Sequence, residues 1–190
     1  MKTKNLVGIA ASIVLFGACV PSVNPYYTEK DIIFDARLVG EWQSKDSSDR
    51  QCWKFEKSGD NAYKLVVTDK DQKRGEMDAR LFKLKDERFL DIIPSDCKFA
   101  SDQTDIVSAA MFPGHLLMRV PQIEPTLQLA FCDFEWLGKF LEEHPEALAF
   151  HKEDNRAVLT AQTKDLQAFV TKHLSEMFQA PMEFERKPAK

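Results

Sequence analysis

The sequence is short of glycine, with 7 in 190 residues. It holds no Gly-x-Gly-x-x-Gly and no P-loop, so a phosphate-cradling loop has little to be built from. Gly-x-Ser-x-Gly and His-Glu-x-x-His are also missing, which removes common signatures of serine hydrolases and zinc peptidases. Four cysteines form no Cys-x-x-Cys and no Cys/His grouping at zinc spacing. Neither a structural metal nor a cofactor is therefore expected. No run of Lys or Arg stands out from a formal net charge of −4, so nucleic-acid binding lacks its electrostatic footprint. Carboxylate pairs such as Glu142 with Glu143 and Glu153 with Asp154 are sequence neighbours and do not face each other as an acid and a base would. His115, His144, His151 and His173 each stand apart from a partner motif. Nothing in these residues argues for an enzyme.

What is present begins with an address. Lys2 and Lys4 form a basic start, an apolar run follows over residues 6–16, and Gly17-Ala18 precede Cys19. This is the tripartite form of a secretory signal, and the run falls short of the ~20 residues that cross a bilayer. The stretch Leu15-Phe16-Gly17-Ala18-Cys19 resembles the lipobox of bacterial lipoproteins, with Phe16 where that family usually has Leu. The resemblance implies cleavage before Cys19, acyl chains on its sulfur and amino group, and stable membrane attachment, since more than one chain anchors durably. Loss of 18 residues, two of them lysines, leaves 172 residues of net charge −6. Val20 is not the acidic residue that retains such lipoproteins in the inner membrane, so the resemblance favours the outer membrane. Residues 20–25 contain two prolines and no periodicity, which reads as an extended spacer. The expected organisation is a signal peptide over 1–18, a lipidated tether over 19–30 and one domain over 31–190.

The rest, 44% hydrophobic and 29% charged in the whole chain, has ordinary globular composition. From Leu38 the apolar residues alternate with period two, the mark of half-buried strands. Trp53 and Phe55 share one face, Ser58-Gly59-Asp60-Asn61 signals a hairpin, and Tyr63, Leu65 and Val67 follow. Met77, Ala79 and Leu81 extend this face until the phase slips to Phe82 and Leu84, for which a bulge is the usual cause. Further strands are expected over 88–93, 115–120 and 126–132. Asp133 is a suitable cap for a helix carrying Trp136, Leu137, Phe140 and Leu141 and ending at His144-Pro145. A hairpin around Asp154-Asn155, a second helix capped by Thr163 and a last strand near 182–185 complete the pattern. The fold class is mainly β with two helices, an antiparallel meander closed into a barrel or half-barrel.

The segment Phe34-Asp35-Ala36-Arg37-Leu38-Val39-Gly40-Glu41-Trp42 resembles the opening of the lipocalins, in which a helical turn leads into a strand bearing Gly-x-Trp. The resemblance implies an up-and-down barrel with Gly40 and Trp42 at its closed end, an Arg packed on the Trp (Arg186 or Arg156 here), and a ligand mouth opposite. Alternating strands place the turn over 44–50, the loop over 94–114 and the first helix at that mouth, where the aromatic helix could act as a plug. Trp53, Phe55, Tyr63, Leu65, Met77 and Phe131 are the candidates to line a site for a small apolar or lipid-like ligand. The alternative is a solid barrel serving as a structural or interaction module of the envelope. Cys52, Cys97 and Cys132 are three, so at most one bridge forms among them. Cys52 and Cys132 lie on strands far apart, so the expected bridge uses Cys97, which can approach either of them, with Cys52 the preferred partner, pinning the loop over the mouth.

Overall fold

The computed structural model describes residues 20–46, 48, 50–95, 113–153 and 156–188. A 3-10 turn, Ala36–Leu38, leads into β1 (Gly40–Ser44), β2 (Cys52–Ser58), β3 (Ala62–Thr68), β4 (Arg74–Leu84), β5 (Glu87–Pro94), β6 (Leu116–Gln122) and β7 (Leu127–Phe131). Then come α1 (Phe134–Glu143), the hairpin of β8 (Phe150–Glu153) with β9 (Arg156–Leu159), α2 (Thr163–Lys172) and β10 (Met182–Arg186). Strands β1 to β7 pair with their sequence neighbours, and β10 inserts between β7 and β1, closing an eight-stranded antiparallel barrel. An even number of up-and-down strands closes antiparallel throughout and leaves no exposed edge. The hairpin between β2 and β3 turns where the sequence signals it, with Gly59 at φ 64°, a conformation that costs glycine little.

Two cores form, one on each side of the wall. Inside the barrel Trp42, Trp53, Phe55, Leu65, Leu81, Leu90, Met118, Leu129 and Phe184 pack together. Outside, Phe82, Phe89 and Leu117 pack with Leu137 and Leu141 of α1 and with Leu166, Phe169 and Val170 of α2. This explains β4. Leu81 and Phe82 are both fully buried, and the register with β5 runs unbroken from Met77↔Pro94 to Leu84↔Glu87. The expected bulge is therefore not there. The phase slip records a strand covered on both faces, and the register irregularity falls instead between β6 and β7, at Arg119 to Gln122.

Two further expectations are corrected by the same outer layer. Helix α1 starts where β7 ends, capped by Asp133, whose carboxylate accepts from Trp136 N–H at 3.0 Å. Its apolar side chains join the outer core, so it clothes the wall and does not plug the mouth. Thr163 does not cap α2. The N-cap is Gln162, without a side-chain bond, while the Thr163 hydroxyl donates to Pro25 O at 2.8 Å.

The segment read as a spacer is extended but docked. Ser22 and His115 exchange both backbone hydrogen bonds at 2.9 Å, and Pro21 O and Val23 N–H pair with Leu159 at 2.9 Å on the other side. A short strap thus joins the barrel wall to the β8–β9 hairpin. Farther on, β4 continues beyond the reach of β3, and its open edge there is covered by Ile32, with Ile33 N–H donating to Leu81 O and Lys83 N–H to Asp31 O, both at 2.9 Å. Proline made residues 20–25 poor in periodicity, yet Val20, Ser22 and Tyr26 are buried. Backbone pairing, to which the sequence pattern is blind, holds them.

Candidate functional site at the open end of the barrel

One end of the barrel is sealed from the sequence upward. Gly40 has φ 135°, and a Cβ there would lie 2.5 Å from Arg186 Nη1. Only glycine combines that backbone with that approach. The space is used by Arg186, which Trp42↔Arg186 pairing places beside the ring. Its guanidinium lies 4.2 Å from the Trp42 ring centroid, donates to Val39 O at 2.8 Å and to Arg37 O, and pairs with Glu124 at 3.0 Å. Trp42 is fully buried and its Nε1 donates to Leu38 O at 2.9 Å. Arg186 is thus the arginine on the Gly-x-Trp tryptophan; the side chain of Arg156 is outside the described residues. Tyr63 completes the seal. Its hydroxyl accepts from Asp35 N–H at 2.7 Å and donates to Asp35 O at 3.1 Å, Phe34 stacks on it at 5.0 Å, and burial pushes its pKa up to about 12.

The six candidate lining residues therefore divide. Tyr63 belongs to the closed end, and Phe55 and Leu65 are fully buried in the deep interior, Phe55 edge-on to Tyr63 at 6.2 Å. Trp53 stands above them, against Phe131 at 6.1 Å and Phe184 at 5.6 Å, its Nε1 donating to Gln51 Oε1 at 2.9 Å. Met77 and Phe131 are half-buried at the opposite end. Register adds Val67, opposite Trp53, Leu116, opposite Ile92, and Met182, opposite Leu129, all half-buried. The alternation in β3 would have found Val67. Leu116 and Met182 needed the barrel's closure, since each stands at the first residue or two of a strand whose partner is set by topology. An eight-stranded barrel is just wide enough to be filled or to hold one small ligand, and this one is packed below and apolar above.

On the outer wall lies a group whose pairing is not apparent in the sequence. Asp91 is 2% exposed; its carboxylate accepts from Tyr26 N–H at 2.9 Å and lies 2.7 Å from His115 Nδ1. Burial pushes the Asp91 carboxyl above its ordinary value, and the His115 hydrogen bond and charge pull it partway back. A lone carboxylate in the apolar run Phe89-Leu90-Asp91-Ile92-Ile93 was the available signal. The pair fastens the strap to β5. Among the cysteines, Cys52 is half-buried with Lys187 Nζ 3.4 Å from its sulfur, and Cys132 is buried. Neither is joined in a disulfide, and Cys19 and Cys97 lie outside the described residues, as do residues 96–112.

Among the described residues no group of three or more His, Cys, Asp or Glu side chains is placed to hold a metal ion, and no helix is long and apolar enough to cross a membrane. The structure defines a class: a closed, eight-stranded, antiparallel up-and-down barrel with two helices, consistent with a lipocalin-like barrel in its Gly40, Trp42 and Arg186 closure. Beyond the class, comparisons with protein-family models, with curated proteins and with solved structures find no match.

Proposed function

We propose that the protein is a lipid-anchored lipoprotein of the bacterial cell envelope, favoured to reside at the outer membrane, whose barrel holds a small apolar or lipid-like ligand at its open end without catalysis. The observation that carries the ligand is the half-buried apolar ring of Val67, Met77, Leu116, Phe131 and Met182 above a sealed floor. Barrel mouths lined by apolar side chains are common places for ligands to bind. The probe is cis-parinaric acid, which fluoresces in apolar surroundings. Titration should saturate at one molecule per chain and quench Trp53. Met77→Glu, which sets a charge in the ring, should weaken binding about tenfold, equivalent to about 1.4 kcal/mol. A non-saturating titration, or one unchanged in Met77→Glu, contradicts the reading.

The second reading, a solid barrel whose surface meets a protein partner, draws on the fully buried Phe55, Tyr63, Leu65, Leu90 and Leu129 that pack inside the barrel. It predicts no saturable uptake of the probe. The anchor is tested separately. The lipobox-like Leu15-Phe16-Gly17-Ala18-Cys19 predicts that Cys19→Ala moves the protein from the detergent phase to the aqueous phase and blocks normal processing. An unchanged partition would sink the anchor and leave the ligand reading standing.

A further inference from the structure

An apolar concavity lies on the outer side of the wall. It is a groove of about 330 Å³ between α1 and the β8–β9 hairpin, lined by Val20, Phe134, Gly138, Leu141, Phe150 and Ala157. That volume is at the small end of ligand sites. Charged groups border it, among them the Lys152 and Glu142 ion pair, which spans from the hairpin to the helix. Gly138 leaves it open, since a Cβ built there meets no atom within 4 Å. One wall is Val20, the first described residue.

We infer that this groove receives one acyl chain carried by Cys19, so that part of the protein's own anchor folds back onto the barrel's outer layer. The inference rests on the lipoprotein reading. Its geometry does not need a flexible tether. Pro21 to Val23 are clamped by backbone hydrogen bonds to His115 and Leu159, and Val20 is 7% exposed. Val20 is itself one wall of the groove and consecutive Cα atoms lie 3.8 Å apart, so an acyl chain carried one residue before Val20 has the groove within reach. The lining also selects the occupant. Its apolar side chains suit a hydrocarbon chain, and of the charged residues that line it beside them Glu142 and Lys152 are paired with each other. The leader peptide would bring amide groups whose burial without partners costs free energy. Retraction of one chain leaves the others in the bilayer, so the groove sets how firmly the protein holds its membrane.

The test is metabolic labelling of cells making the full chain with a diazirine-bearing fatty acid, followed by irradiation and mass spectrometry of the purified protein. The expected result is acyl label on Cys19, cross-linked within the same molecule to peptides containing Gly138 or Phe150. Gly138→Leu places a side chain in the groove at a site with room for it and improves helix propensity; it should abolish those cross-links while Gly138→Ala keeps them. Thermal unfolding of both variants serves as the folding control. Label on Cys19 that cross-links only to lipid overturns the inference and leaves the lipoprotein reading intact, as does intramolecular cross-linking that survives in folded Gly138→Leu. A protein that keeps its leader, with the peptides containing Gly138 and Phe150 free of acyl cross-links, overturns it too. Absence of any label on Cys19 overturns both.

Discussion

Trp42→Ala is expected to cost about 3–5 kcal/mol, the range for emptying a buried aromatic site, measured as a shift of the urea midpoint at unchanged slope. The value should fall in the upper half of that range because more than a cavity is made. Trp42 has no exposed surface and its Nε1 satisfies Leu38 O; without the indole that carbonyl is left without its donor, a loss of about 1 kcal/mol or more. The Arg186 guanidinium also loses the ring 4.2 Å from it. Arg186 is partly exposed, so its cation–π contact contributes only about 0.5–1 kcal/mol. Van der Waals burial of the indole therefore dominates. A variant within a few tenths of a kcal/mol of the parent would mean that the closed end does not depend on this residue.

Asp91→Ala should destabilise by about 3 kcal/mol, the lower end for removing one member of a buried polar pair, because the hydrogen bonds to Tyr26 and His115 are lost together. The Tyr26 N–H, 2.9 Å from the carboxylate, would be stranded, and the strap should become sensitive to limited proteolysis near residue 26 before the barrel opens. Asp91→Asn separates charge from hydrogen bonding, since the amide keeps an acceptor for Tyr26. In the folded protein the Asp91 carboxyl holds its proton above the ordinary 3.8. The folded state therefore binds more protons than the unfolded one as pH rises from 3.8 through the raised value, and stability from this group falls across that window. The stability of Asp91→Asn relative to the parent should rise over the same window and then level. A difference that is flat with pH would contradict the assignment, and resistance of Asp91→Ala to proteolysis would show that the strap is held by its backbone pairs alone.

How far the fold could be read depended on how many faces of each element were covered. Strand β2 alternates over Cys52 to Phe55 because one face meets the core and the other is more exposed, and in β3 Lys64 separates the fully buried Tyr63 and Leu65 although Val66 is buried as well; Trp53, Phe55 and Leu65 follow from that alternation. Strand β4 is covered on both sides along Leu81 and Phe82, and there period-two reasoning mistook a second core for a bulge. The strap escaped notice because its pairing with His115 and Leu159 is made by the backbone, which leaves no trace in side-chain pattern. Gly40 and Trp42 were legible through a resemblance, whereas choosing Arg186 over Arg156 required the register of β10 against β1. For the site, three of six lining candidates reach the open half of the barrel, and the other three fill its base. Which inward residue is deep and which is shallow depends on where the closed end lies along the strand, and periodicity reports face without depth.

A ligand at the mouth needs apolar walls above a sealed floor, and the methionines report on both directly. Met77 and Met182 are half-buried at the mouth, Met118 is buried in the inner core, and Met177 is buried in the outer one. With methionine methyl groups labelled with carbon-13, titration of a medium-chain fatty acid should shift the Met77 and Met182 resonances in a saturable way and leave Met177 in place. Met118, below the ring, should move less than either. Unmoved Met77 and Met182 resonances, or a larger shift at Met177 than at both, would contradict a ligand at the barrel mouth.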